Sequence, residues 1–286
     1  MELMRLGPAG QETPAVRAGG LTYDLSDLTA EINGAFLSAD GIERIALALS
    51  AGTLPELPGA AQLRVGAPVA RPGALICIGQ NYAAHAAESG ATPPKQPIIF
   101  FKHPNTIIGP NDSVTIPYGS TKTDWEVELA IVISRTVTRL RDPSQAAAHI
   151  AGYTIADDVS ERRYQLEESG GQWSKGKSFP TFTPLGPALI PAAQVAATAG
   201  MRLRSFVNGE PRQDSSTADM IFSPYQLVHD LSQYLTLDPG DIILTGTPHG
   251  VALSGRFPYL RAGDVVETEI EQIGRQRHSF VSATPS

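Results

Sequence analysis

A single cysteine, no long apolar run and no cluster of basic residues set this 286-residue chain apart by what it lacks. With Cys77 alone, an intramolecular disulfide is excluded. The N-terminus, Met-Glu-Leu-Met-Arg-Leu-Gly-Pro, has neither the basic start nor the apolar stretch of a secretory signal. Both features fit a reducing cytoplasm. Apolar runs such as Leu129 to Ile133 and Ile242 to Leu244 fall far short of the roughly 18 residues that cross a bilayer, so no membrane span is expected. A net charge of -7 without a lysine or arginine run disfavours nucleic acid as a partner. There is no Gly-x-Ser-x-Gly elbow and no His-Glu-x-x-His, which removes two common hydrolytic designs. Cys77 lies in Leu-Ile-Cys-Ile, where a buried, inert thiol is expected.

What is present describes a globular chain rich in turns, with 42% hydrophobic and 18% charged residues, 27 Gly and 23 Pro. Residues 1–70 are expected to form a small N-terminal α/β domain, with a helical pattern from Ser38 to Leu49, ending in a proline-rich linker. Residues 71–286 then form the main body. Short apolar runs bounded by Gly and Pro predict strands at Ala74 to Ile78, Pro97 to Phe101, Ser113 to Ile116, Val127 to Ser134, Tyr153 to Ala156, Asp241 to Leu244 and Val265 to Ile270. Helical patterns cover Tyr82 to Glu88, Pro143 to Ile150, Ser160 to Glu168 and Tyr225 to Tyr234, the last opened by Ser223 and Pro224. The class is α+β, a strand-dominated mixed β fold.

The chemistry concentrates in Asp124-Trp125-Glu126-Val127-Glu128. On a strand, residues two apart share a face, so Asp124, Glu126 and Glu128 project together just where the chain enters an apolar run that reads as buried on both faces. Carboxylates crowded there repel, or keep their protons, unless a cation neutralises them. A second source of acid is Asp157 and Asp158, at the end of another short strand. Oxygen ligands without cysteine or clustered histidine select a hard ion: Mg²⁺, Mn²⁺ or Ca²⁺. By pattern alone, acidic pairs at a solvated strand end explain the same residues. His85 and Glu88, three apart on a helical turn, have the spacing of a general base and its orienter, although an exposed helix pair shares that spacing. Lys177, Gln165 and Arg162 are candidates for gripping an anionic, carbonyl-bearing substrate. Thr245 to Pro248 form a strand-end loop whose hydroxyls and amides suit a carboxylate, or merely a turn. Gly171, Gly176, Lys177 and Ser178 satisfy a phosphate-binding P-loop spacing. Polar residues precede it and Phe179-Pro180 follows, so the strand and helix that motif requires are missing.

Taken in order, Gly79-Gln80-Asn81-Tyr82 with His85 and Glu88, Asp124 to Glu128, Asp158-Val159-Ser160 with Arg162 and Gln165, Gly176 to Phe179 and Thr245 to Pro248 resemble the fumarylacetoacetate hydrolase family from about Arg71 to the C-terminus. The resemblance implies that family's fold, a divalent ion (Mg²⁺, with Mn²⁺ as alternative) on Glu126, Glu128 and Asp158, and a homodimer. It implies a mobile lid carrying His85 and Glu88 as catalytic residues together with Lys177 and Gln165, and substrate contacts from Arg162, Lys102, Tyr82 and Thr247. Asp157 stands where the family usually has asparagine; alternation along the strand points the two acids oppositely, so one of them binds. The implied substrate is a small anionic 2-oxo acid. If it is a 2,4-dioxo acid, water activated by His85 attacks the C4 carbonyl and the carbon-carbon bond breaks to release pyruvate. The run from Gly171 to Lys177 and the long N-terminal segment resemble the branch that hydrolyses 2,4-dioxo-3-deoxy sugar acids. Decarboxylation of oxaloacetate, tautomerisation of a 2-hydroxydienoate and dehydration of a 2-oxo-3-deoxy acid are alternatives on the same enolate. A non-enzymatic metal- or nucleotide-binding module is the alternative of another class.

Overall fold

The computed structural model describes residues 1–284 apart from Ser89, Ala91 and Ala197. Its centre is the strand Val127–Ile133, all seven residues of which are buried. Val127, Leu129, Ile131 and Ile133 enter one apolar cluster and Ala130 and Val132 another, so both faces are covered, as a continuous β-branched run requires. The strand lies antiparallel between Ile150–Asp157 and Ile242–Leu244. Beyond Ile242–Leu244 come Leu75–Gly79, in parallel, and then Ile98–Lys102. On the other side Ile150–Asp157 pairs with Thr183–Pro191, which Glu2–Leu6 joins through Leu3 opposite Leu189. Thr13–Ala18 and Leu21–Asp24 extend this long sheet further, and Val65–Gly66 on Glu2–Leu6 and Ile107–Ile108 on Thr183–Pro191 complete its eleven strands. The N-terminal strands therefore continue it rather than forming a sheet of their own.

A five-stranded sheet packs alongside, ordered Glu210–Ser216, Arg202–Val207, Val265–Ile270, Gly274–Ser282 and Val114–Ile116. Helices are short. Pro224–Leu231 carries a full capping box, Ser223 and Gln226 satisfying each other's backbone N–H. Gly41–Ala51 ends on Gly52 in the left-handed region, where glycine costs nothing. Two helical patterns take other forms. Pro143–His149 is a 3₁₀ segment, and only Arg163–Glu167 of the stretch from Ser160 winds, as a π-helix. Ser174–Lys177 lies directly on this wider turn, so closely that a Cβ on Gly176 would sit 2.4 Å from the Gln165 nitrogen and 2.5 Å from the Glu161 oxygen. Among the described residues the π-helix, not a strand, leads into Gly171, so the P-loop spacing forms no phosphate loop. No described helix is long and apolar enough to cross a membrane.

Candidate active site

Strand directions collect the chemical residues at one end of the long sheet. Val127–Ile133 starts there, and its antiparallel neighbours Ile150–Asp157 and Ile242–Leu244 finish there, as does Leu75–Gly79, parallel to the latter. Glu126 and Glu128, Asp158, the loop from Thr245 to Thr247, and Gln80 with the helix Ala83–Glu88 therefore converge. His85, Glu126, Glu128, Arg162, Gln165, Lys177 and Thr247 line a single cavity of about 90 Å³.

Carboxylate oxygens of Glu126, Glu128 and Asp158 lie within 4.8 Å of one another, all three side chains buried. Lys177 Nζ bridges two of them, 2.7 Å from both Glu126 Oε2 and Asp158 Oδ2. Arg162 Nη2 lies 2.7 Å from Glu126 Oε1. Burial pushes the Glu126 carboxyl up, but Lys177 and Arg162 outweigh it and bring it down to about 2. Glu128 is treated differently: burial, then Asp158 and Glu126, push it well above the usual range, and its hydrogen bond comes from Gly246 N–H at 2.7 Å. A buried carboxylate repelled by two others and paired with no cation among the described residues is the condition a bound cation relieves. The lone pairs suffice, since a carboxylate oxygen that accepts one hydrogen bond keeps a second site. The donor set therefore fits a hard divalent ion.

Asp124 departs from the shared face. Its Oδ2 accepts from Arg162 Nε at 2.8 Å and from Leu253 N–H at 2.9 Å, and its Oδ1 from Ala252 N–H at 2.8 Å, so it anchors Arg162 and the Ala252–Ser254 turn outside the three-carboxylate group. Asp157 points away from the cavity. Its Oδ1 accepts from Glu126 N–H at 2.8 Å and its Oδ2 meets His278 Nε2 at 2.8 Å, both side chains fully buried. Nothing in the sequence around His278 signals this partnership; it pairs residues 121 apart.

Two residues expected at the substrate lie elsewhere. Lys102 is buried behind Asp158, its Nζ donating at 2.6 Å to Asp158 Oδ1 and to the Phe182 carbonyl, so it braces the carboxylate from the protein side. Tyr82 is fully buried in the core and does not line the cavity. Thr247 lines the cavity, but its hydroxyl donates to the Val127 carbonyl at 3.0 Å and accepts from Gln213 Nε2 at 2.8 Å, steadying the strand that carries the glutamates. Gln165 Oε1 accepts from Arg162 Nη1 at 2.8 Å, which leaves its Nε2 as the donor.

His85 Nδ1 lies 3.7 Å from Glu88 Oε2, beyond hydrogen-bonding distance but within the range that a catalytic pair closes when substrate binds. Glu88 is held below the usual carboxylate range, first by His85 and also by Gly250 N–H, which donates to it at 3.1 Å. Ala84 N–H donates to Asp219 Oδ2 at 3.0 Å, tying the start of the helix to a neighbouring turn. Gln80, on the cavity wall, has φ 54, left-handed strain of the kind a site retains for position.

The sequence and the fold have counterparts. The family model for the fumarylacetoacetate (FAA) hydrolase C-terminal region matches residues 74–281. A Burkholderia multivorans protein named only as a hydrolase is 45% identical over 280 residues, covering 96% of this chain and 97% of its own. Fumarylacetoacetate hydrolase from the psychrophile Exiguobacterium antarcticum superposes with a TM-score of 0.84 at 30% identity, covering 99% of this chain and all of that one. Maleylpyruvate hydrolase from Sphingobium sp. SYK-6, solved with manganese(II) and pyruvate, gives 0.82 at 27% identity over 99% of this chain and all of that one. A manganese complex in a relative and a buried acidic triad here point alike to a divalent metal. The family model spans most of the chain and the relatives match nearly all of it in sequence and fold, so the chain is an enzyme of the fumarylacetoacetate hydrolase family.

Proposed function

We propose that this enzyme hydrolyses the carbon-carbon bond of a 2,4-dioxo acid, an acylpyruvate, giving pyruvate and a carboxylic acid. The observation that carries the reading is His85, 3.7 Å from Glu88, on the same small cavity as Glu126, Glu128 and Lys177, with Asp158 beside the two glutamates. Glu126, Glu128 and Asp158 would hold Mg²⁺ or Mn²⁺, which when bound supplies Lewis-acid polarisation of the 2-oxo group. His85, its tautomer set by Glu88, takes a proton from water as that water adds to the C4 carbonyl. Lys177 and the free Nε2 of Gln165 are the donors for the oxyanion that forms. Collapse breaks the C3–C4 bond, the electron pair passing into the pyruvate enolate, which is protonated at C3. Arg162, fixed by Asp124 and Glu126, keeps the glutamate arm in place. The narrower substrate reading is a 2,4-dioxo-3-deoxy sugar acid, and the working unit is a homodimer.

The test is a panel of acylpyruvates, dioxo sugar acids, oxaloacetate and 2-hydroxydienoates assayed with Mg²⁺ or Mn²⁺ before and after chelation. Cleavage of the dioxo acids, lost on chelation and restored by the ion, is expected. Full activity in a metal-free preparation, or turnover of oxaloacetate or dienoates alone, would overturn the assignment.

A further inference from the structure

The cavity that holds the carboxylates has a second wall, which the chemistry above leaves unused. Ile78, Phe100, Leu166, Trp173 and Leu253 line it. Trp173 is a fixed surface: a Cβ on Gly79 would lie 2.4 Å from its ring, so the indole rests on the bare backbone there. Phe100 meets the same indole edge-on, with centroids 5.8 Å apart. Leu166, carried by the π-helix, is 45% exposed while lining the cavity, so a large apolar side chain stands at the mouth.

Charge is arranged as unevenly as polarity. The permanent cations among the lining residues are Arg162 and Lys177, and both are already engaged by Asp124, Glu126 and Asp158. Within the connected network, the carboxylates of Asp124, Glu126, Glu128 and Asp158 face the cations of Lys102, Arg162 and Lys177, one negative charge in excess. A divalent ion held by Glu126, Glu128 and Asp158 would turn that excess into one positive charge, which the carboxylate of a single 2-oxo acid would cancel. A second carboxylate at the far end of the substrate would meet leucine and indole, with no unengaged lysine or arginine among the lining residues. Leaving a charge desolvated and unpaired is costly, whereas an alkyl end gains by covering apolar surface.

We infer, on the strength of the hydrolase reading above, that the enzyme selects 2,4-dioxo acids whose acyl group is short, uncharged and apolar at its end, and rejects those with a distal carboxylate. Leu166, Trp173 and Leu253 are the specificity-determining residues. A sugar-acid substrate is then restricted to those with a short acyl part ending in a methyl group, because a polyhydroxylated tail has few polar partners on this wall.

Two measurements test this separately from the reaction. Calorimetric titration of the Mn²⁺-loaded enzyme compares 2-oxovalerate with 2-oxoglutarate, which differ in the distal carboxylate and need no turnover. Binding of 2-oxovalerate at least about tenfold tighter is expected. Steady-state kinetics then compare acetylpyruvate and butyrylpyruvate with succinylpyruvate, with a preference of similar size in kcat/KM. Leu166→Arg, at an exposed position that tolerates a long polar side chain, should move both ratios toward the distal carboxylate by about tenfold. Equal or tighter binding of 2-oxoglutarate, or ratios unmoved by Leu166→Arg, would overturn the inference. Selective binding of 2-oxovalerate with no cleavage of any dioxo acid would instead remove the hydrolase reading and leave the selectivity standing.

Discussion

Replacing Glu128 with its isosteric amide separates two effects that the native side chain combines. The carboxylate is 1% exposed, repelled by Asp158 and Glu126, and receives Gly246 N–H, a hydrogen bond that a glutamine oxygen accepts equally well. In metal-free protein, Glu128→Gln therefore removes a buried like charge without stranding a donor, and should stabilise by about 1 to 3 kcal/mol. For a chain of this length that is roughly 2 to 6 °C in Tm. A carboxyl raised in the folded state costs nothing below its unfolded value of about 4.3, and its cost grows as pH rises toward the folded value, so the variant's advantage should vanish near that lower pH. The native protein should gain about 2.7 kcal/mol, some 5 °C, from a divalent ion at about a hundred times its Kd. Glu128→Gln should lose nearly all of this gain, having given up a charged ligand. Differential scanning calorimetry in EDTA and in MnCl₂ measures both. A variant that melts below the native protein in EDTA and still gains fully from Mn²⁺ would refute the reasoning on both counts.

His85→Ala should lower acylpyruvate hydrolysis by about 10² to 10⁴, while oxaloacetate decarboxylation, which needs no activated water, falls much less; equal losses in the two assays would remove the general-base role. Gly79→Ala should drive the Trp173 ring off its seat and raise KM for acetylpyruvate at least about tenfold, with circular dichroism unchanged, whereas an unaltered KM would show that the indole does not meet the substrate. Glu12 links Arg5 at 3.0 Å and Arg64 at 2.9 Å, and although burial raises its carboxyl, those arginines bring it below the usual value. Its contribution to stability is complete above the unfolded value of about 4.3 and is lost as pH falls through the lower folded value. Urea midpoints across that window should therefore fall less steeply for Glu12→Gln than for the native chain.

Legibility in the sequence followed the range of the causes. Val127–Ile133 could be read because burial on both faces leaves a run of apolar residues, and the paired glutamates because strand alternation is strictly local. Thr183–Pro191, equally central, holds Pro184, Pro187 and Pro191, and its place in the sheet depends on neighbours far along the chain. The strands before residue 25 are short and mixed in polarity; the first pairs onto that one, the second onto the first and the third onto the second. The helical reading from Ser160 met a backbone contact with Gly176 that no local pattern encodes. Lys102 at a strand end reads as free to reach a ligand, yet the carbonyl of Phe182 and the carboxylate of Asp158, 80 and 56 residues away, hold it inside. The role of Asp157 needed His278 in the same way.

Where Leu3 meets Leu189, the first strand of the chain docks onto the catalytic sheet, and Val16, Leu25, Phe36, Leu37 and Ile45 spread over Leu75, Cys77, Ala130, Val132 and Leu244. Ala130 and Val132 stand on the same side of their strand as Glu128, so the opening segment roofs the floor from which the acids rise. Trimming the gene to the stretch that matches the family model would strip off that roof and bare a greasy plane beside the reaction centre. Such a fragment should come out of cells in inclusion bodies, and adding back the missing piece as a separate peptide should return it to solution.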